Sequence, residues 1–193
     1  MLKIRKGVFE TNSSSMHSFS LEKVFSGFKR EFKEFKPLMN GTLVIDIDYY
    51  GRYPFKLLNT PEDKVRYLLA DIFEYGHKKE INKMLSAKNY TKEVQDILDI
   101  LHKYIDFKVL KVEEIDWAIG VDHASLDIFD IIKARNIDME EFIFNPNYVI
   151  IIDGDEYDNC EIYYNFDAKR DDTGKFYPEG TLTEKGVGLL KNV

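Results

Sequence analysis

A chain of 193 residues with 44% hydrophobic content suits one domain with a sizeable core. Its single cysteine, Cys160, excludes an internal disulfide framework and a cysteine-based zinc site. A net charge of −7 argues against life on duplex DNA, which needs a basic footprint. No run approaches the roughly 18 apolar residues of a membrane span, and MLKIRKGVFE at the N-terminus has no apolar leader core, so the expectation is a cytoplasmic chain with no membrane contact.

The charge is uneven. Residues 1–40 hold eight Lys/Arg against four Asp/Glu, and residues 153–172 hold eight Asp/Glu against Lys169 and Arg170. Such a basic front and acidic rear could steer different partners, or simply solvate a surface. The 14 Phe and 12 Tyr favour a sheet-containing core rich in rings.

In chain order, Lys3 to Glu10 alternates loosely and predicts a first strand, and Ser18 to Leu21 resumes one. Phe25, Phe28, Phe32 and Phe35, at spacings of three and four, predict an amphipathic helix over 22–36, ended by Pro37 and Asn40-Gly41. Thr42 to Tyr50 alternates apolar and acidic residues and predicts a half-buried strand. Thr60 as N-cap, Pro61 at the first helical position, and Glu62 with Asp63 in the first turn mark the clearest helix start. Its inner face is Val65, Leu68, Leu69, Ile72 and Phe73.

Thr91 to Tyr104 repeats the helical pattern, with Val94, Ile97, Leu98 and Leu101 inward. His77 and His102 are expected late on helical segments, exposed and favourable to the negative helix end. Phe107 to Val112 reads as a short strand, Ser125 caps a helix to about Ala134, and Asp138 with Glu141 has capping-box spacing. Tyr148 to Ile152 predicts a buried strand, with Glu161 to Phe166 as its hairpin partner. The whole is an α+β fold, a mixed or antiparallel sheet with amphipathic helices packed on it. One domain over 1–170 is followed by a charged, Gly-rich tail over 171–193 that is expected to be loose.

Three polar stretches could carry chemistry. Between Glu10 and Ser18, a carboxylate, an amide, five hydroxyls and the His17 imidazole fall within nine residues. A turn through Thr11, Asn12, Ser13, Ser14 and Ser15 could cradle a phosphate, and Glu10 or His17 could move a proton. The same residues equally suit a Ser-rich connection whose hydroxyls satisfy local backbone groups. Asp122-His123 just ahead of Ser125 is a second acid–base or phosphate-binding candidate, or an ordinary helix entry. Asp153-Gly154-Asp155-Glu156-Tyr157-Asp158 is the third. Asp153 and Asp155 could ligate a metal, although Tyr157 and Asp158 break the EF-hand pattern.

The stretch Arg5 to Ser18 resembles the start of a group of uncharacterised proteins from phages and mobile elements of Gram-positive bacteria. Their signature is a basic residue, Gly, an apolar residue, Phe-Glu-Thr-Asn-Ser-Ser-Ser, one variable residue and His-Ser. Val121 to Ser125 resembles the group's Ile-Asp-His-Gln-Ser. Phe142 to Asn145 through Asp153 to Tyr157 resembles a segment ending Gly-Asn/Asp-Asp-Asn, from which this chain departs. Tyr49 to Tyr53 lacks the group's Gly-Trp pair. The resemblance implies origin rather than a reaction.

Two functions follow as expectations. One is a phage-type accessory protein that binds and modulates a host protein, such as a CRISPR or other defence nuclease, with Asp155, Glu156 and Asp158 on the binding face. The other is a small enzyme on a nucleotide or other phosphorylated substrate, with Glu10, the 12–15 turn, His17 and His123 lining its site. A shared pocket for the three stretches would favour the enzyme, and a flat acidic face the binder.

Overall fold

The computed structural model describes residues 16–51, 55–74, 76–114, 119–121, 128–153, 164–170 and 176–191. They form an α+β fold of nine strands and six helices among the described residues. A five-stranded mixed sheet has the order β4 (Lys56–Leu58), β7 (Val149–Asp153), β1 (Met16–Ser20), β9 (Phe176–Leu182), β8 (Tyr164–Arg170). β1 runs parallel to β9, and the other three pairings are antiparallel. Beside it, β2 (Thr42–Ile47) pairs in parallel with β5 (Val109–Glu114), and β3 (Tyr49–Tyr50) with β6 (Gly120–Val121).

Burial on both faces explains the unbroken apolar run of β7. Ile150 and Ile152 face the main core with Phe19 and Leu58, whereas Val149 and Ile151 face a second cluster with Tyr164, Leu182 and Leu190. The helices on the main core are α1 (Pro61–Ile72), α2 (Lys78–Ser86), α3 (Lys92–Tyr104), α4 (Ile128–Ala134) and α5 (Met139–Phe144). α1 starts as its sequence requires: Thr60 Oγ1 accepts the Asp63 N–H at 3.1 Å. Val65, Leu68 and Leu69 are fully buried, each worth about 1.5–3 kcal/mol of transfer free energy. Asp138 caps α5 in the same way, through Glu141 N at 3.0 Å. No helix among the described residues is long and apolar enough to cross a membrane.

Four expectations need correction. Residues 21–36 form no helix; they are an extended strap. Gly27 takes φ +73°, which a continuing helix cannot contain. The phenylalanines serve two cores, Phe25 the second cluster and Phe28, Phe32 and Phe35 the main one. The strap's amides are served from afar. Asn147 Oδ1 accepts from Val24 and Phe25 N–H, both at 2.6 Å, and Asn147 Nδ2 donates to the Phe25 carbonyl at 3.0 Å. Glu62 accepts from Lys33 N–H and from Glu34 N–H at 2.9 Å.

Second, the partner expected for β7 at 161–166 is instead β8 (Tyr164–Arg170) at the far edge, paired with β9. Third, the expected loose tail contains β9 and α6 (Glu184–Lys191), with Leu182 and Leu190 buried. Gly180 is needed there because Tyr164 lies across β9, and a Cβ would collide with its ring. Fourth, His77 is the N-cap of α2 rather than a late helical residue, and its side chain makes no cap bond. His102 does lie in the last turn of α3, stacked on Phe107 with ring centroids 3.9 Å apart. The strand read over Lys3 to Glu10 lies outside the described residues.

Candidate functional site

The residues that flank the three polar stretches belong to one connected patch. Met16 is the Cα partner of Asp153, so the strand that closes the N-terminal polar run and the strand that leads into the acidic run meet at one paired position of the sheet. One step inward, His17 pairs with Ile152, which also pairs with Lys56 on β4. Val121, which precedes Asp122 and His123, pairs with Tyr50 on β3. The Tyr50 ring lies 5.2 Å from that of Tyr67 on α1, and the Tyr67 hydroxyl is 2.7 Å from His17 Nδ1.

His17 is fully buried, so it acts here as a strut between β1 and α1 rather than a solvent-facing acid or base. Burial pushes the hydroxyls of Tyr67 and Tyr50 well up, so both remain protonated donors. On the opposite face of β1, Ser18 Oγ donates to the Tyr164 hydroxyl at 2.7 Å. The patch is therefore a platform of buried rings tied by side-chain hydrogen bonds. Of the other candidates, Asp153 ends β7, and its side chain is not described. Glu10, Thr11, Asn12, Ser13, Ser14, Ser15, Asp122, His123, Ser125, Asp155, Glu156 and Asp158 lie outside the described residues. Among the described residues, no group of three or more His, Cys, Asp or Glu is arranged to hold a metal ion.

A charged cleft of about 470 Å³ adjoins this platform, sharing Tyr50 and Lys56 with it. Arg66 on α1 is its centre, with a side chain only 15% exposed. Its guanidinium reaches Glu34 at 3.1 Å, Asp46 at 3.2 Å and Asp63 at 3.7 Å, and lies 5.2 Å from the centre of the Phe35 ring. Burial opposes the charge, but Asp46 and Glu34 outweigh it and hold the pKa above the ordinary arginine value. Lys56 meets Asp48 at 3.3 Å. Arg66 thus ties the strap, β2 and α1 together.

The sequence hides this centre. Asp46 and Asp48 read as the wet side of an alternating strand, and Arg66 as one more polar helix residue.

A second depression, of about 510 Å³, lies where the strap crosses the N-terminus of α1. Phe25, Phe28, Phe144 and Leu190 supply apolar walls, and Asn59 and Pro61 line it from the helix side. Set against protein-family models, curated proteins and solved structures, the chain finds no match in any of the three.

Proposed function

We propose that this chain is a phage-type accessory protein that binds and modulates a host protein, of which a defence nuclease is one candidate. It does so through the end of the molecule where the three polar stretches are rooted. The supporting observation is the Met16–Asp153 pairing, joined through His17, Tyr67 and Tyr50 to Val121. Segments rooted on a rigid scaffold are where proteins carry recognition groups. The acidic residues Asp155, Glu156 and Asp158 supply the complementarity that a basic, nucleic-acid-handling partner would recognise.

The test is affinity capture from host cells with wild type and with Asp155, Glu156 and Asp158 all changed to Lys, after circular dichroism shows equal folding. The reading requires that one partner, enriched by wild type, disappears with the variant. Undiminished capture of that partner by the variant overturns it.

The same common root supports a second reading, an enzyme acting on a nucleotide or other phosphorylated substrate through the polar residues 10–15 and His123, with His17 as a buried support rather than a catalytic group. On that reading, His123→Ala abolishes the cellular effect while partner capture persists.

A further inference from the structure

We infer that α2 is an autoinhibitory cover on the outer edge of β5, and that the edge it closes pairs with the same edge of a second copy of this chain once uncovered. None of the residues involved belongs to the polar end proposed above, so either reading can fail without the other.

Among the described residues, β5 is hydrogen-bonded to a strand on one side only, that of β2. The Val109 N–H points to that side, where it meets the Gly41 carbonyl at 3.3 Å. Backbone groups alternate in direction along a strand, so Val112, three positions on, turns its N–H and its carbonyl the other way. An open strand edge is a template for pairing with another chain. Here it is closed by a side chain. Asn82 Oδ1 on α2 accepts the Val112 N–H, and Asn82 Nδ2 donates to the Val112 carbonyl, both at 2.9 Å. Those are the two bonds that a residue of a neighbouring antiparallel strand would make, so one carboxamide stands in for one strand residue.

The rest of the cover is slight. Of the nine residues of α2, only Ile81 and Leu85 are buried, with Met84 partly so. Lys78 meets Glu113 at 2.5 Å, but both side chains are near half exposed and solvent screens the pair. A helix shorter than about 12–15 residues is marginal in water by itself, so α2 stays in place through these contacts.

The edge beneath is complementary to itself. In a twofold, antiparallel pairing centred on Val112, that residue and its copy exchange both backbone bonds. The same register sets Lys111 opposite Glu113 of the second copy, and Glu113 opposite Lys111 of the second copy. Lys111 and Glu113 are exposed, whereas Leu110 and Val112 are buried in the chain's own core. Opposite charges facing each other across a strand pair are favourable. A parallel, in-register pairing would instead set like charges against each other, which is why the occupant is a second copy running the other way.

Sedimentation velocity on the full chain, over a range of concentrations, tests this. Wild type should remain monomeric, and Asn82→Ala should shift to a dimer as its concentration rises. In dilute solution the Val112 amide of Asn82→Ala should exchange its hydrogen at least about tenfold faster than in wild type. Asn82→Asp, which sets a carboxylate oxygen against the Val112 carbonyl, should shift the same way. Within Asn82→Ala, Lys111→Glu and Glu113→Lys should each abolish the dimer, because each sets like charges opposite each other. An equimolar mixture of those two chains should dimerise again, since Glu then meets Lys at both positions. Association that ignores these charges is what a merely misfolded variant would show, and it would overturn the inference. So would a mixture that stays monomeric, an Asn82→Ala chain that stays monomeric, or a wild type that dimerises as strongly.

Discussion

The strap of residues 21–36 borders two buried asparagines whose surroundings differ in one respect. Around Asn147, polar groups are matched to partners. Asn147 binds the strap, and Lys64 Nζ, wholly buried, donates to the carbonyls of Phe142 at 3.0 Å, Ile143 at 3.3 Å and Asn145 at 2.6 Å. Those are carbonyls at the C-terminal end of α5, where a helix leaves acceptors over and a cation is favoured. Around Asn59 the walls mix rings with charged strap residues, and the carboxamide makes no hydrogen bond among the described residues. The first region is a finished joint between α1, α5 and the strap; at the second, the amide lines an open depression where water can serve it. Buried polar groups therefore need to be read by whether they are matched, and not by burial alone.

Breaking the finished joint should cost most at Lys64. Lys64→Ala strands three carbonyls and opens a void, and about 3–5 kcal/mol should be lost in urea unfolding. Lys64→Met keeps the volume and should recover part of that loss, because only the unmet carbonyls remain. Burial holds the Lys64 pKa well below the ordinary lysine value. The unfolded chain therefore binds the extra proton between that lowered pKa and about 10.5, so this group's contribution to stability rises with pH across that window. Lys64→Met should abolish the rise. Asn147→Ala should cost about 2–3 kcal/mol, since it leaves two strap N–H groups and a carbonyl unmatched. A wild-type-like Asn147→Ala would erase the contrast with Asn59.

What the sequence reveals of this arrangement tracks the range of the interactions. α1 and α3 are legible because caps and apolar spacing lie within a few residues of each other: Thr60 with Asp63, and Val94 through Leu101. The strap misleads because its phenylalanines keep helical spacing while its backbone partners, Asn147 and Glu62, sit far along the chain. α2 is hard to see because only Ile81 and Leu85 are buried along it. Lys64 and Arg66 flank an apolar face, and nothing local tells them from solvated charges. His17 was visible as part of a polar run, but its burial depends on Tyr67, fifty positions away in sequence. The common root of the three stretches is likewise a matter of register, which no single stretch encodes.

The smallest expected effect sharpens the contrast at the joint's wet edge. Glu140 on α5 receives Lys103 at 2.6 Å, the Tyr104 hydroxyl at 2.5 Å and Arg30 of the strap at 2.8 Å. Lys103, with Tyr104 and Arg30, holds its carboxyl down at about 2, against an ordinary 4.5. A depressed carboxylate contributes its full stability above the unfolded value and loses it as pH falls from about 4.5 toward 2. Lys103 and Arg30 are each about half exposed, so salt and solvent screen the interaction. The contribution should be about 1 kcal/mol, less than the full shift would give. Glu140→Gln should therefore lie about that far below wild type in urea unfolding at pH 7, and the gap should narrow at pH 3. An equal gap at both pH values would mean that Glu140 acts by packing and hydrogen bonding rather than by charge, and the joint's wet edge would then resemble its dry centre.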